Sequence, residues 1–341
     1  MAKLSRLIAL SALRAGVAVT GLLGGAGCGG GSAPPAWSRD WSQAPALVTL
    51  TGTSEIDALG DVHGDLAATT RMLAAAGLIT PSTPYHWTGG TRVLVVTGDV
   101  IDKGSLALPI IDLLITIEGE AALAGGRVVV TLGNHEVEFL ADPSDVKSAV
   151  FQSELRERGL DPKKVAAGDS PYGLWLLTRP VAALIDGWFF SHAGNSAGES
   201  ATVLAQLFQK VVDTPPAPGR SRFDDPFLVG SRSLLEQQLW WTAGKGGNST
   251  AVIDVNLAAL PALHTVFGHD PGTIDFPDDP QGTRTQGEPV ARYGGRIFLI
   301  DVGMSYAIGY SKGAMLRISR EKGADQASVL LPDATSRPLW P

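Results

Sequence analysis

Three times in the first half of this chain, a short strand-like run ends in a Gly-Asp or Gly-Asn block and then gives way to a helix-forming stretch. Residues 56–59 run into Gly60-Asp61-Val62-His63-Gly64-Asp65. Residues 92–97 run into Gly98-Asp99-Val100-Ile101-Asp102-Lys103-Gly104, and 127–132 into Gly133-Asn134-His135-Glu136. Apolar strands each followed by a helix, here 66–78 and 105–123, demand a sheet covered on both faces, so the expected fold class is α/β. Residues 144–160 read as helical and 161–180 as mixed. Segments 181–185 and 188–191 read as a hairpin around Asp186-Gly187. Residues 198–262 alternate helices with Pro-rich loops and are expected to cap the site. Segments 265–267, 296–301 and 314–319 read as closing strands, and no internal repeat is present.

Two further polar blocks, Ser191-His192-Ala193-Gly194 and Gly268-His269-Asp270, follow the first three, and together the five hold four of the six histidines. Carboxylate and amide oxygens with neutral imidazole nitrogens are the ligand set of a hard or borderline divalent cation. Asp61 and His63 are one residue apart, so on an extended strand end they point the same way, as two ligands to one ion would. A single Asp after Gly at a strand end is usually a turn or helix cap; five such blocks in order are not explained that way.

On these blocks, from about residue 55 to about residue 319, the chain resembles the calcineurin-like metallophosphoesterases, and within them the phosphoprotein-phosphatase superfamily. Residues 173–181 leading into Phe189-Phe190-Ser191-His192, with Leu239-Trp240-Trp241, are most similar to the bacterial Shewanella-like branch. The resemblance implies a four-layer α/β/β/α sandwich over residues 51–320 with a helical and loop cap. It also implies two divalent ions (Mn, Fe or Zn) held by Asp61, His63, Asp99, Asn134, His192 and His269, with Asp99 bridging. Their shared task is to make hydroxide available near neutral pH and to neutralise phosphate. By the same resemblance His135 protonates the leaving group and Asp102 holds its other nitrogen. The family's second block closes with Arg where this chain has Lys103, a point charge in place of a two-pronged donor. A second phosphate-binding cation has no motif; Lys245 is a candidate, equally readable as a solvated loop lysine, and Arg232 a weaker one. His86 and His264 read as structural, and Trp240-Trp241 as packing under the cap.

The implied function is hydrolysis of phosphomonoesters, on a phosphorylated protein (Tyr or Ser/Thr) or a small phosphomonoester. The alternatives are a phosphodiesterase or dinucleoside polyphosphate hydrolase, and a non-catalytic binding lipoprotein on the same fold. A net charge of −7 provides no basic field for nucleic acid. The start is different in kind: Lys3 and Arg6, an apolar run, small residues at 24–27 and then Cys28, the only cysteine. That reads as a bacterial secretory signal over 1–27, with membrane attachment only through a lipid anchor at Cys28; a plain secretory peptide is the alternative. Residues 28–50 read as a flexible tether and 321–341 as a C-terminal tail.

Overall fold

A computed structural model describes residues 37–243, 247–321 and 323–341. The expected leader, Cys28 and Lys245 lie outside the described residues. The first half lays down β1 (Leu47–Leu50), β2 (Glu55–Leu59), α1 (Leu66–Ala75), β3 (Val93–Val96), α2 (Ala107–Leu123), β4 (Arg127–Val130) and α3 (Asn134–Ala141). Next come α4 (Ala149–Glu157), α5 (Pro162–Ala166), α6 (Pro171–Leu177), β5 (Ala182–Ile185), β6 (Trp188–Ser191), α7 (Ala201–Asp213) and α8 (Ser249–Ala259). The chain closes with β7 (His264–Phe267), β8 (Val290–Arg292), β9 (Ile297–Leu299), β10 (Met315–Glu321), β11 (Ala324–Leu330) and β12 (Ser336–Trp340).

The strands form two six-stranded sheets, ordered β1-β5-β6-β7-β9-β8 and β12-β11-β10-β2-β3-β4. Period-two alternation decides what each strand faces. Ile56, Ala58, Val93 and Val95 of one sheet join Ala183, Ile185, Trp188, Phe190, Val266 and Phe298 of the other in one buried cluster, which is the seam between the sheets. The intervening residues, such as Leu94, Val96, Ala182 and Phe189, point the opposite way into the larger core that the helices cover. The result is the α/β/β/α sandwich.

Strands β2, β3 and β4 run parallel, as do β6, β7 and β9. Leu59, Val96 and Val130 are aligned across the first trio, so Asp61, Asp99 and Asn134 emerge together just beyond its carboxyl edge. Asp65 then caps α1, accepting from the Ala68 amide at 2.9 Å and so fixing where the first block ends.

Two expected boundaries are corrected. The tether does not run to residue 50, because Leu47–Leu50 pairs in parallel with β5. Arg39 ties the preceding segment down through the carbonyls of Ala44, Pro45, Leu177, Thr178 and Arg179. Nor is 321–341 a tail: β11 and β12 extend the second sheet antiparallel from β10. Both are sheet-edge additions of mixed polarity, whose partners lie far off or across a tight turn. Residues 161–180, read as mixed, form α5 and α6.

His264, at the far end of the seam, is structural. Its ring stacks on Trp188 at 3.9 Å between centroids and its Nδ1–H donates to the Gly295 carbonyl at 2.7 Å. Burial lowers its pKa. The unfolded chain therefore binds the proton more readily, and the stability that the neutral ring contributes is lost as pH falls below about 6.5. His264→Gln is expected to be less stable than wild type at neutral pH yet to lose less stability on acidification to about pH 5, as read by urea midpoints. Parallel losses in the two proteins would remove His264 from the acid response.

Candidate metal centre

The five blocks meet at one edge of the sandwich. Asp61, His63, Asp99, Asp102, Asn134 and His192 are buried, and His135 and His269 are half-buried. His63 Nε2 lies 3.6 Å from Asp99 Oδ2 and 3.8 Å from Asp61 Oδ2. On the other side of Asp99, His192 Nε2 lies 3.4 Å from Oδ1. Asn134 Oδ1 is 2.9 Å from His192 Nε2 and 3.1 Å from His269 Nδ1, and those two nitrogens are 3.2 Å apart.

The protein aims the histidines. His63 Nδ1–H donates to the Ile101 carbonyl at 3.2 Å and His192 Nδ1–H to the Thr97 carbonyl at 2.7 Å, which turns each Nε2 lone pair inward. Burial is the main cause that lowers His63 to about 3 and His269 to about 4, so both rings stay neutral and able to ligate. Nitrogen and oxygen donors facing one another this closely repel, and a divalent cation is what such a set fits.

The backbone around the site is tightly wound. His63, Asp99, Asp102, Lys103 and His269 all hold left-handed φ, between 41° and 70°, which non-glycine residues seldom adopt outside functional turns. Glycines make the close approaches possible. A Cβ on Gly133 would fall 2.2 Å from Asp99 Oδ1, and one on Gly268 would fall 2.1 Å from Asp61 Oδ1. The buried Glu136 carboxylate holds the second and third blocks together, accepting from the amides of Gly133, Asp99, Val100 and Ile101 at 2.8–3.1 Å. Asp61 accepts from the His269 amide, joining blocks that belong to different sheets.

His135 sits against this set. Its Nδ1 faces Asp102 Oδ2 at 3.4 Å and its Nε2 faces Asp99 Oδ2 at 3.9 Å. Burial lowers its pKa, but Asp99 and Asp102 outweigh that and hold it up to about 9, so the ring carries a proton at neutral pH. Asp102 is itself pinned, its Oδ1 accepting from the Phe151 amide at 3.1 Å. Lys103 is exposed at the rim, close enough for its charge to act on Asp61, His63 and His135. Arg232 is exposed, and His86 is engaged on the surface with Glu120 at 2.7 Å.

Beside His269 lies a small recess of about 10 Å³, room for about one water, bordered by Ala193, Gln237, Leu239, Trp241, Phe267 and Asp270. Trp240, which donates to the Ala193 carbonyl at 3.0 Å, and Trp241, which stacks on Phe276, are both buried in the core, as expected. Asp301, outside the five blocks, is buried just beyond the end of β9. The signal was present, because 296–301 is another apolar strand that ends in Asp.

The calcineurin-like phosphoesterase family profile matches residues 55–279. An uncharacterized protein of Schizosaccharomyces pombe is 43% identical over 275 residues, covering 77% of this chain and 76% of that protein. Shewanella-like protein phosphatase 2 of Arabidopsis thaliana is 42% identical over 80 residues, 24% of this chain and 20% of that protein. Among solved structures, the cold-active protein-tyrosine phosphatase of a psychrophilic Shewanella species superposes with a TM-score of 0.64. It is 20% identical, over 85% of this chain and 82% of that one.

Proposed function

We infer the reaction from the premise that this chain belongs to the calcineurin-like phosphoesterase family: it is a metal-dependent phosphatase that hydrolyses phosphomonoesters. The observation that carries this reading is the placement of Asp99, whose two oxygens face different donor sets. Oδ2 faces His63, with Asp61 beside it, and Oδ1 faces His192, with Asn134 and His269 beyond. Two divalent ions, Mn, Fe or Zn, would be held by these groups and would supply the Lewis acidity that brings the pKa of water near neutrality. His135 carries its proton at the mouth of the site and gives it to the leaving oxygen. Asp102, held by the Phe151 amide, keeps Nδ1 protonated and the ring oriented.

Phosphotyrosine in a phosphoprotein is the favoured substrate, by analogy with the cold-active protein-tyrosine phosphatase of Shewanella. The purified protein with Mn²⁺ is expected to hydrolyse p-nitrophenyl phosphate and phosphotyrosine peptides faster than a bis-aryl diester or diadenosine tetraphosphate. Faster turnover of either of the last two would sink the monoester reading.

Lys103, exposed at the rim, is proposed to meet substrate phosphate. Lys103→Ala is expected to lower kcat/KM by about 10–100-fold, the worth of one charge-assisted hydrogen bond, and to weaken inhibition by phosphate. Lys103→Arg keeps the charge and should retain activity. Alanine at 103 must adopt the same left-handed backbone as lysine, so the comparison isolates the side chain. Unchanged phosphate inhibition in the alanine variant would return Lys103 to the solvated surface.

A further inference from the structure

We propose that Asp301 is a positioning residue of the metal centre, a buried carboxylate behind Asp61 that raises the site's affinity for a divalent cation. The inference rests on the reading of Asp61 and Asp99 as cation ligands.

The topology puts Asp301 there. It follows β9, which runs parallel to β7, and the Ile300 amide donates to the Phe267 carbonyl at 2.8 Å, two residues before His269. On its other side it abuts the first block. A Cβ on Gly60 would come within 2.9 Å of the Ile300 carbonyl oxygen and 3.0 Å of the Asp301 Cα. Asp301 is thus wedged between the residue that precedes Asp61 and the loop that carries His269.

Its side chain is 1% exposed. Oδ1 accepts from the Gly303 amide at 2.9 Å, while Oδ2 is buried with no hydrogen-bond partner among the described residues. A buried carboxylate oxygen without a partner is costly unless a positive charge stands nearby. The adjacent cation is Arg284, fully buried, but its donors go to main-chain oxygens. It bonds the carbonyls of Glu288 and Asp270 at 2.6 Å, and also those of Gly272 and Asp301 itself. Arg284 therefore fixes the backbone on either side of the site and leaves the Asp301 carboxylate short of a direct partner.

Asp301 is thus a third buried carboxylate packed behind Asp61 and Asp99. A cation between Asp61 and Asp99 relieves the repulsion of all three, and in a buried setting that relief appears as tighter binding. A purely structural Asp301 would serve only the turn at Gly303.

Asp301→Asn separates the two roles, because it keeps the shape and the Oδ1 acceptor and removes the charge. The test measures Mn²⁺ binding to the metal-free full-length protein by calorimetry, with urea midpoints of the metal-free forms. The variant is expected to bind Mn²⁺ about 10–100-fold more weakly in at least one site, with a metal-free midpoint no lower than wild type. Asp301→Ser, smaller and also neutral, is measured alongside. Either neutral variant binding Mn²⁺ within about threefold of wild type, well inside that range, overturns the proposal. Loss of the metal-free fold in both also overturns it, since Asp301 would then be structural. If wild type itself binds no Mn²⁺, the metal-centre reading fails with it. If wild type binds and the variants bind alike, only this inference fails.

Discussion

Asp99→Asn is expected to lose one divalent ion per molecule and nearly all turnover. Deleting one neutral donor from an active site typically costs about 10²–10³-fold in rate, and this substitution removes a full charge, so the loss should exceed that range. The geometry gives the reason: Asp99 alone faces both donor sets, at 3.6 Å from His63 Nε2 and 3.4 Å from His192 Nε2. An amide offers only one oxygen in place of two and no negative charge. Asp99 Oδ1 also accepts from the His135 amide at 3.0 Å, so the variant's fold must be checked by circular dichroism before the loss is read as chemistry. Metal analysis that finds two ions retained, with activity near wild type, would show that Asp99 is not the shared ligand.

His135→Ala should lower kcat by about 10²–10⁴-fold, the usual span for a general acid, while leaving the metal content unchanged. The loss should be larger for an alkyl phosphate than for p-nitrophenyl phosphate, whose leaving oxygen hardly needs a proton. Metal content is the deciding measurement here. His135 Nε2 lies 3.9 Å from Asp99 Oδ2, close enough that His63, Asp99 and His135 could themselves surround an ion. If His135→Ala lost an ion, with equal rate losses on both substrates, His135 would be a ligand rather than the acid.

The parts of the fold legible in the sequence were those with strong local signals. Strands β2, β3 and β4 are short, largely buried runs, β3 and β4 rich in valine, and the blocks that follow them carry the chemistry. The β5–β6 hairpin was legible because Asp186-Gly187 specifies the turn, with Asp186 in the left-handed region. Strand β1 was missed because four residues beside a Gly- and Pro-rich stretch have little pattern of their own; β5, some 130 residues on, makes them a strand. Strands β11 and β12 were missed for a related reason. Their residues are largely exposed or half-buried, so no clear apolar alternation marks them, and the pairing of β11 with β10 and of β12 with β11 supplies the order.

Within the site, the sequence by itself determined the chemistry available: which carboxylates, imidazoles and amide end which strands, and hence that a divalent cation is the partner they suit. Tertiary structure alone decided which of those groups face one another. His192 and His269 come from one sheet and Asp61, Asp99 and Asn134 from the other, and the packing of Ile56, Val95, Phe190 and Phe298 across the seam brings them within bonding reach. The same packing seals Asp301 behind Asp61 and commits Arg284 to backbone carbonyls, which leaves one carboxylate oxygen without a partner. Local sequence sets the period and end of each strand, but the separation of side chains on two different sheets depends on how those sheets pack, and that is a sum of non-local contacts.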